Sequence, residues 1–338
     1  MNDPSPSTPD DLRSSLRSSL ERLLRQLSPK QATQAVDRLI ASYRGRTPTD
    51  SPVLRDQSDV AAYAAYRMPA TFEAVRAALG AFRARAGEWA PRTHVDIGGG
   101  TGAATWAVAD AWPEGDHATT VLDWARPALD LGRTLAAEAP HPALRQAEWR
   151  RQPIGGALAL PASDLITISY VLGELTDADR ESVVAAAARG AQAVLVVEPG
   201  TPEGYGRILH ARQQLIDAGL SVVAPCPHDG DCPVQSPDWC HFAARVNRSS
   251  LHRQVKGGSL PYEDEKFSYV AAMREHPAPA ENRIVRHPQI RKGQVLLDLC
   301  TRDEGLRRVT VSKRHGDLYR AARDAEWGEV WPPLSAQD

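Results

Sequence analysis

Cysteine is scarce in this chain: 338 residues contain four, Cys226, Cys232, Cys240 and Cys300. That is the usage expected of a cytosolic protein. Met1–Ser19 holds Asp, Pro, Ser and Arg but no apolar core. The segment lacks the form of a secretory signal, which argues against disulfides and for a cytoplasmic protein. No apolar run approaches membrane-spanning length, so a helical membrane anchor is not expected. Lysine is also scarce, with five residues, and the formal net charge is −2. A chain coated in positive charge is thereby excluded.

The four cysteines are not scattered. Three lie in a stretch rich in Pro, Gly and Asp, with five residues between Cys226 and Cys232 and seven between Cys232 and Cys240. The fourth ends the apolar run Val295-Leu296-Leu297-Asp298-Leu299-Cys300. Thiolate ligation is a main reason to cluster cysteine in a reducing compartment, and four thiolates suit a tetrahedral metal ion or an iron–sulfur cube. Compact zinc ribbons use tighter pairs, so this spacing leans toward a cluster without separating it from zinc. Cys300 also fits an ordinary buried cysteine in a strand. His228 and His241 stand as substitute ligands or as neighbours of the site.

Charge is unevenly placed. From Arg245 to Arg323 there are 17 Lys and Arg against 9 Asp and Glu, and four of the five lysines fall there. A basic C-terminal third on an acidic body is the asymmetry of a nucleic-acid contact surface. Arg245, Arg248, Arg253 and Lys256, beside Trp239-Cys240-His241-Phe242, are the candidate RNA-binding residues. The competing reading pairs some of them with Glu263, Asp264 and Glu265.

Helical spacing dominates the first third. Leu12, Leu16, Leu20, Leu23 and Leu24 form one stripe, and Ala35, Leu39, Ile40 and Tyr43 another. Thr47–Pro52 reads as a linker. A further helix from about Val60 runs through Phe72, Val75, Leu79 and Phe82, with Pro69 near a start or a kink. From Thr93 strands alternate with helices: strands at 93–97, 118–122, 164–169 and 193–197, helices at 103–111, 129–139, 177–188 and 207–218. This alternation predicts an α/β fold with a mostly parallel sheet covered on both faces. After residue 222 the pattern turns irregular, and from Arg283 short strands at 283–285, 294–299 and 308–311 predict a small β-rich module. The expected divisions are 1–90 helical, 91–222 Rossmann-like, 223–282 cysteine-rich and basic, and 283–338 β-rich.

The run Asp96-Ile97-Gly98-Gly99-Gly100-Thr101-Gly102 ends a strand and opens a helix, the context of a nucleotide-binding turn. Asp123 follows at the end of the next strand, placed to accept from ribose hydroxyls. An acidic residue just ahead of three alternate glycines is typical of class I methyltransferases and favours S-adenosylmethionine over NAD. Asp96, Gly98, Gly100, Gly102, Asp123 and Ser169 are the candidate cofactor-binding residues, and Ser169–Leu175 follows the later strand at the edge where ligands bind. No catalytic residue is identified. No Asn-Pro-Pro-Tyr or Asp-Pro-Pro-Tyr follows the 164–169 strand, and no cysteine is left over as a nucleophile for a pyrimidine carbon.

Several longer stretches resemble one family. They are Glu198-Pro199-Gly200-Thr201-Pro202, Ala224-Pro225-Cys226-Pro227-His228, Cys232-Pro233, Trp239-Cys240-His241-Phe242, Pro261-Tyr262-Glu263-Asp264-Glu265-Lys266-Phe267-Ser268-Tyr269 and Tyr66-Arg67-Met68-Pro69-Ala70-Thr71. With the glycine loop they resemble the Rsm twenty-two family, methyltransferase-like protein seventeen in animals, over roughly residues 60–330, as a bacterial member. The resemblance implies a Rossmann-like class I methyltransferase fold with a cysteine-rich iron–sulfur insertion. It implies a [4Fe–4S] cluster on Cys226, Cys232, Cys240 and Cys300, and binding to small-subunit rRNA and the small ribosomal subunit during assembly. Methyl transfer is not implied, since members use the fold as a scaffold. An active rRNA methyltransferase and a redox- or iron-responsive regulator of assembly are the competing functions.

Overall fold

The computed structural model describes residues 9–25, 34, 57–156, 158–248, 260–275 and 282–333. Helix α1 (Pro9–Arg25) buries Leu12, Leu16 and Leu20, as the leucine stripe predicts. The stripe Ala35–Tyr43 and the linker Thr47–Pro52 lie outside the described residues. Helix α2 (Gln57–Ala86) extends on both sides of Pro69, so the proline does not mark its start. A proline inside a helix forfeits one backbone hydrogen bond. Here Met68, Phe72, Val75 and Leu79 are all buried along one side, and about 1.5–3 kcal/mol per large apolar side chain outweighs that loss.

The main sheet has the order β3-β2-β1-β4-β5-β8-β6, with β7 paired to β8. Its strands are β1 (Thr93–Ile97), β2 (Ala118–Asp123), β3 (Glu148–Arg151), β4 (Ser163–Ser169), β5 (Ala191–Pro199), β6 (Ser221–Ala224), β7 (Phe242–Asn247) and β8 (Tyr262–Met273). β1 to β5 are parallel, and β8 runs antiparallel to β5, β6 and β7. The intervening helices are α3 (Ala103–Ala111), α4 (Arg126–Ala137), α5 (Pro142–Arg145), α6 (Asp177–Gly190) and α7 (Pro202–Asp217). A parallel core closed by an antiparallel strand inserted beside β5 is the class I methyltransferase topology of the Rossmann-like folds.

The sheet reaches past residue 222 into the stretch read from sequence as irregular. β8 opens on Tyr262-Glu263-Asp264-Glu265-Lys266, a charged segment that pairs with β7, and only its second half, Phe267–Met273, is continuously buried. The two halves carry different patterns, so neither periodicity test marks one strand.

A second sheet follows: β9 (Asn282–Ile284), β10 (Gln289–Arg291), β11 (Gln294–Thr301), β12 (Leu306–Ser312) and β13 (Val330–Trp331), with helix α8 (Asp317–Asp324) against it. β9 and β10 pair with successive halves of β11, and β12 lies along the other edge. Ile284, Val295, Leu297, Leu299, Val311, Ala322 and Trp331 form its core. The expected β-rich module is present, with two more short strands and a helix.

Three histidines are buried at the amino ends of β1 and β2 and before α5: His94, His117 and His141. The rings of His117 and His141 lie 5.8 Å apart. His117 is 2% exposed and neither ring nitrogen has a hydrogen-bond partner. Burial, and then the neighbouring His141, bring its pKa down to about 4. The folded state therefore favours the neutral ring. Its contribution to stability is full above the unfolded value near 6.5 and is lost as pH falls toward 4. Between pH 7 and pH 4 the unfolding free energy of the wild type is expected to drop about 3 kcal/mol more than that of His117→Leu. Denaturant titrations at stepped pH measure this, and parallel pH profiles for the two proteins would refute it.

Candidate cofactor cleft, cysteine cavity and basic surface

The glycine loop turns where its residues permit. Gly98, Gly100 and Gly102 have φ of 66°, 54° and 87°, the region open to glycine at little cost. The amides of Gly98 and Gly99 both donate to the Leu122 carbonyl, which locks the loop to the end of β2. A cleft of about 420 Å³ opens above it, of the size that holds small ligands. Gly98, Gly99, Gly100, Asp123, Trp124 and Ser169 line it from the sheet. Asp123 holds the wall in place, since its carboxylate accepts from the Gly100 amide at 2.9 Å and from the Ala125 amide at 2.7 Å. Burial raises its pKa against those hydrogen bonds.

Asp96 and Gly102, expected among the cofactor contacts, do not line the cleft. Asp96 is fully buried beneath the loop, where the hydroxyls of Thr105 and Thr167 donate to it at 3.0 and 2.8 Å. Burial pushes its carboxyl up to about 7. Its role is to tie β1 to β4 and α3. Gly102 meets Trp149 instead of ligand: a Cβ there would stand 2.6 Å from the indole.

Tyr170, Val171 and Glu174, from the stretch Ser169–Leu175 expected at this edge, line the cleft, and Tyr63, Met68 and Thr71 of α2 complete it, a roof that no local signal in the sequence indicated. Tyr170 has φ of 58°, unusual for a bulky residue. Its hydroxyl donates to Glu265 at 3.0 Å, and Arg67 pairs with the same carboxylate at 3.3 Å. That triangle joins α2, the turn after β4 and β8, and all three residues stand in stretches noted above: Tyr66–Thr71, Ser169–Leu175 and Pro261–Tyr269. Desolvation, with Asp123 and Glu198 nearby, pushes the Glu174 carboxyl up to about 7. Glu198 is fully buried, accepting from Arg207 Nε at 2.6 Å and from the Leu172 amide at 3.1 Å, so it fixes the turn that carries Tyr170.

The loop between β6 and β7 carries Cys226, Cys232 and Cys240, and β11 of the second sheet carries Cys300. All four thiols are free, and all four line one cavity between the two sheets. Among the described residues no group of three or more His, Cys, Asp or Glu side chains is drawn together as ligands of one ion. Burial raises the thiol pKa of Cys226 and Cys240 and brings that of Cys300 up to about 12, with the other sulfurs adding to each shift. The Tyr205 hydroxyl lies 3.1 Å from Cys232 Sγ, and His228 Nε2 lies 3.8 Å from Cys300 Sγ. His241 stacks on Trp239 and packs edge-on to Trp327, a packing role. Trp239 in turn donates to the Gly200 carbonyl at 2.9 Å, fastening the loop to the end of β5.

The expected RNA-binding residues have local partners where they are described. Arg245 pairs with Asp264 at 3.3 Å and lies 4.2 Å over the Tyr262 ring, yet its side chain remains 63% exposed. Arg248 is 15% exposed, facing Glu263 at 3.5 Å and donating to the Leu260 carbonyl at 3.3 Å. Arg253 and Lys256 lie outside the described residues. The β8 carboxylates thus take up part of the local positive charge.

A family model described as "Mitochondrial small ribosomal subunit Rsm22" matches residues 57–332. The human protein "Ribosome assembly protein METTL17, mitochondrial" is 30% identical over an alignment of 303 residues, which covers 82% of this chain and 65% of that protein. "Ribosome assembly protein RSM22, mitochondrial" of Saccharomyces cerevisiae is 25% identical over 33% of this chain and 28% of its own length. The chain therefore spans less than two thirds of these relatives. Among solved structures, an O-methyltransferase family protein from Burkholderia thailandensis is 17% identical with a TM-score of 0.44, covering 72% of this chain and 68% of that one. Among the described residues no helix is long and apolar enough to cross a membrane. The family match takes in the glycine loop, the cysteine loop and the second sheet together, and the chain belongs to the Rsm22 family.

Proposed function

We propose that this protein is a cytoplasmic assembly factor of the small ribosomal subunit that binds small-subunit rRNA, keeps its Rossmann cleft for S-adenosylmethionine and holds a [4Fe–4S] cluster on Cys226, Cys232, Cys240 and Cys300. The observation that carries the reading is the meeting of Cys300, from the second sheet, with the 226–240 loop at one cavity, in a family whose human and yeast relatives are named ribosome assembly proteins. The donor set fits: four free thiols and no carboxylate line the cavity, and thiolates suit iron–sulfur clusters and zinc. A bound cluster supplies one-electron redox capacity and a cross-link between the loop and β11. The chain's own part is positional. Trp239 and Arg283 hold the two ends of the loop, through the Gly200 and Pro225 carbonyls, and Cys300 Sγ faces the loop at His228 Nε2.

The RNA contact is tested by filter binding to small-subunit precursor particles across a salt series. Arg245, Arg253 and Lys256 are the residues to reverse, because Arg248 is largely buried beside Glu263 whereas Arg245, though paired with Asp264, stays mostly exposed. The triple Glu variant is expected to bind more weakly at low salt and to show a shallower salt slope, with iron content unchanged. An unchanged affinity and slope would remove this surface from the RNA contact.

The cleft favours a second reading, an active S-adenosylmethionine-dependent rRNA methyltransferase, since the polar side chains of Tyr170 and Glu174 line it beside the glycine loop. Mass spectrometry of rRNA from a deletion strain separates the two. A missing methyl mark restored by the wild-type gene, but not by Gly100→Val, supports the enzyme. An unaltered rRNA leaves the assembly role alone.

A further inference from the structure

Two arginines border the cysteine cavity, and among the described residues neither has a carboxylate partner. Arg212, on α7, is 4% exposed, and Arg283, on β9, is 3% exposed. Arg212 Nη2 donates to the carbonyls of His228 and Gly230 at 2.8 and 2.7 Å. Arg283 Nε donates to the Pro225 carbonyl at 2.9 Å and its Nη1 to the Gly328 carbonyl at 2.7 Å. Arg212 Nε and Arg283 Nη2 are buried with no hydrogen-bond partner at all.

A guanidinium keeps its charge at any working pH, and a buried charge is costly unless an opposite charge faces it. Holding the loop carbonyls explains some of the donors but none of the charge, because a neutral donor would serve a carbonyl. The sulfurs are the groups that these cations share. Both arginines act electrostatically on Cys226 and Cys300. A dipositive [4Fe–4S] cube on four thiolates leaves two net negative charges, and two guanidinium groups match them.

We propose that Arg212 and Arg283 are the built-in countercharge of the four-thiolate site, holding the bound group in its anionic state and raising its reduction potential. This rests on the cluster assignment above. Reduction adds an electron to a site that is already negative, so removing a buried positive charge beside it disfavours the reduced state.

The test compares Arg212→Gln and Arg283→Gln with Arg212→Lys and Arg283→Lys. Each protein is reconstituted anaerobically, assayed for iron and sulfide, and titrated potentiometrically with absorbance and electron paramagnetic resonance as readouts. Each Gln variant is expected to move to more negative potential by at least a tenfold change in the reduction equilibrium, about 59 mV for one electron, while each Lys variant stays nearer the wild type. A Gln variant that fails to load where its Lys counterpart loads supports the same role, since charge is then needed for assembly. Loaded Gln variants at the wild-type potential, or Gln and Lys variants altered alike, would reduce the arginines to loop clamps and overturn the proposal. Wild-type protein that takes up no iron and sulfide overturns the cluster assignment itself, a failure visible before any variant is compared.

Discussion

Cys300→Ser protein, purified anaerobically from iron-replete cells, is expected to lose the brown colour and the broad absorption near roughly 400 nm, and to fall well below the about four irons per chain expected of the wild type. Cys226→Ser, Cys232→Ser and Cys240→Ser should do the same. Cys300 is the most telling of the four, because β11 reaches the cavity from the other sheet, where the Cys300 sulfur meets the 226–240 loop at His228 Nε2, 3.8 Å away. The stability effect should depend on loading. In the empty protein a buried thiol behaves as a small hydrophobe, and serine in its place costs about 1–3 kcal/mol as an undersatisfied hydroxyl. In the loaded protein the same change also removes a cross-link between the sheets, and losses of a metal site belong among the mutations that cost more than about 4 kcal/mol. Denaturant titration with and without prior reconstitution measures both. Full iron content in Cys300→Ser would break the four-ligand assignment. Stoichiometric zinc without sulfide in the wild type would replace the cluster with an ion.

Gly100→Val should abolish S-adenosylmethionine binding in calorimetry, a loss of roughly a hundredfold or more, or about 3 kcal/mol. The position is chosen by what a Cβ would meet. At Gly98 it would stand 2.5 Å from Val171 and at Gly102 2.6 Å from Trp149, so substitutions there damage the fold. At Gly100 the nearest heavy atom is Asp123 Oδ2 at 3.7 Å, so the added side chain enters the open cleft. Its φ of 54° adds about 1–2 kcal/mol of backbone strain, which should lower the melting temperature without unfolding the protein. Asp123→Ala should weaken binding by about 1–3 kcal/mol and also loosen the loop, since two amides lose their acceptor. Wild-type protein that ignores both S-adenosylmethionine and its demethylated product would make the cleft a relic of the fold, with the assembly role untouched.

Much of this was legible in order along the chain. The helix at 103–111 and the strands at 93–97, 118–123 and 163–169 follow from local signals, because a glycine turn, a β-branched run and a helical stripe each act within a few residues. The leucine stripe of α1 and the small C-terminal sheet were legible for the same reason. Pro69 suggested a helix start because its local cost is real, whereas the packing that carries the helix across it is not local. β8 was hidden by a charged half whose partner, β7, lies across the stretch 248–261.

The sequence alone determined the residue types on which function turns: four thiols without disulfide context, a glycine loop ending a strand, an acid ending the next, and an excess of Arg and Lys from Arg245 to Arg323. Only the tertiary structure decided which of them meet. It set Cys300 on the cavity of the other three, sent Asp96 beneath the loop while Asp123 faced the cleft, roofed that cleft with α2, and paired Arg245 and Arg248 with the carboxylates of β8. The physical reason is that backbone conformation is set by neighbours in the chain, whereas the side chains that share a cavity are set by packing between segments far apart in it.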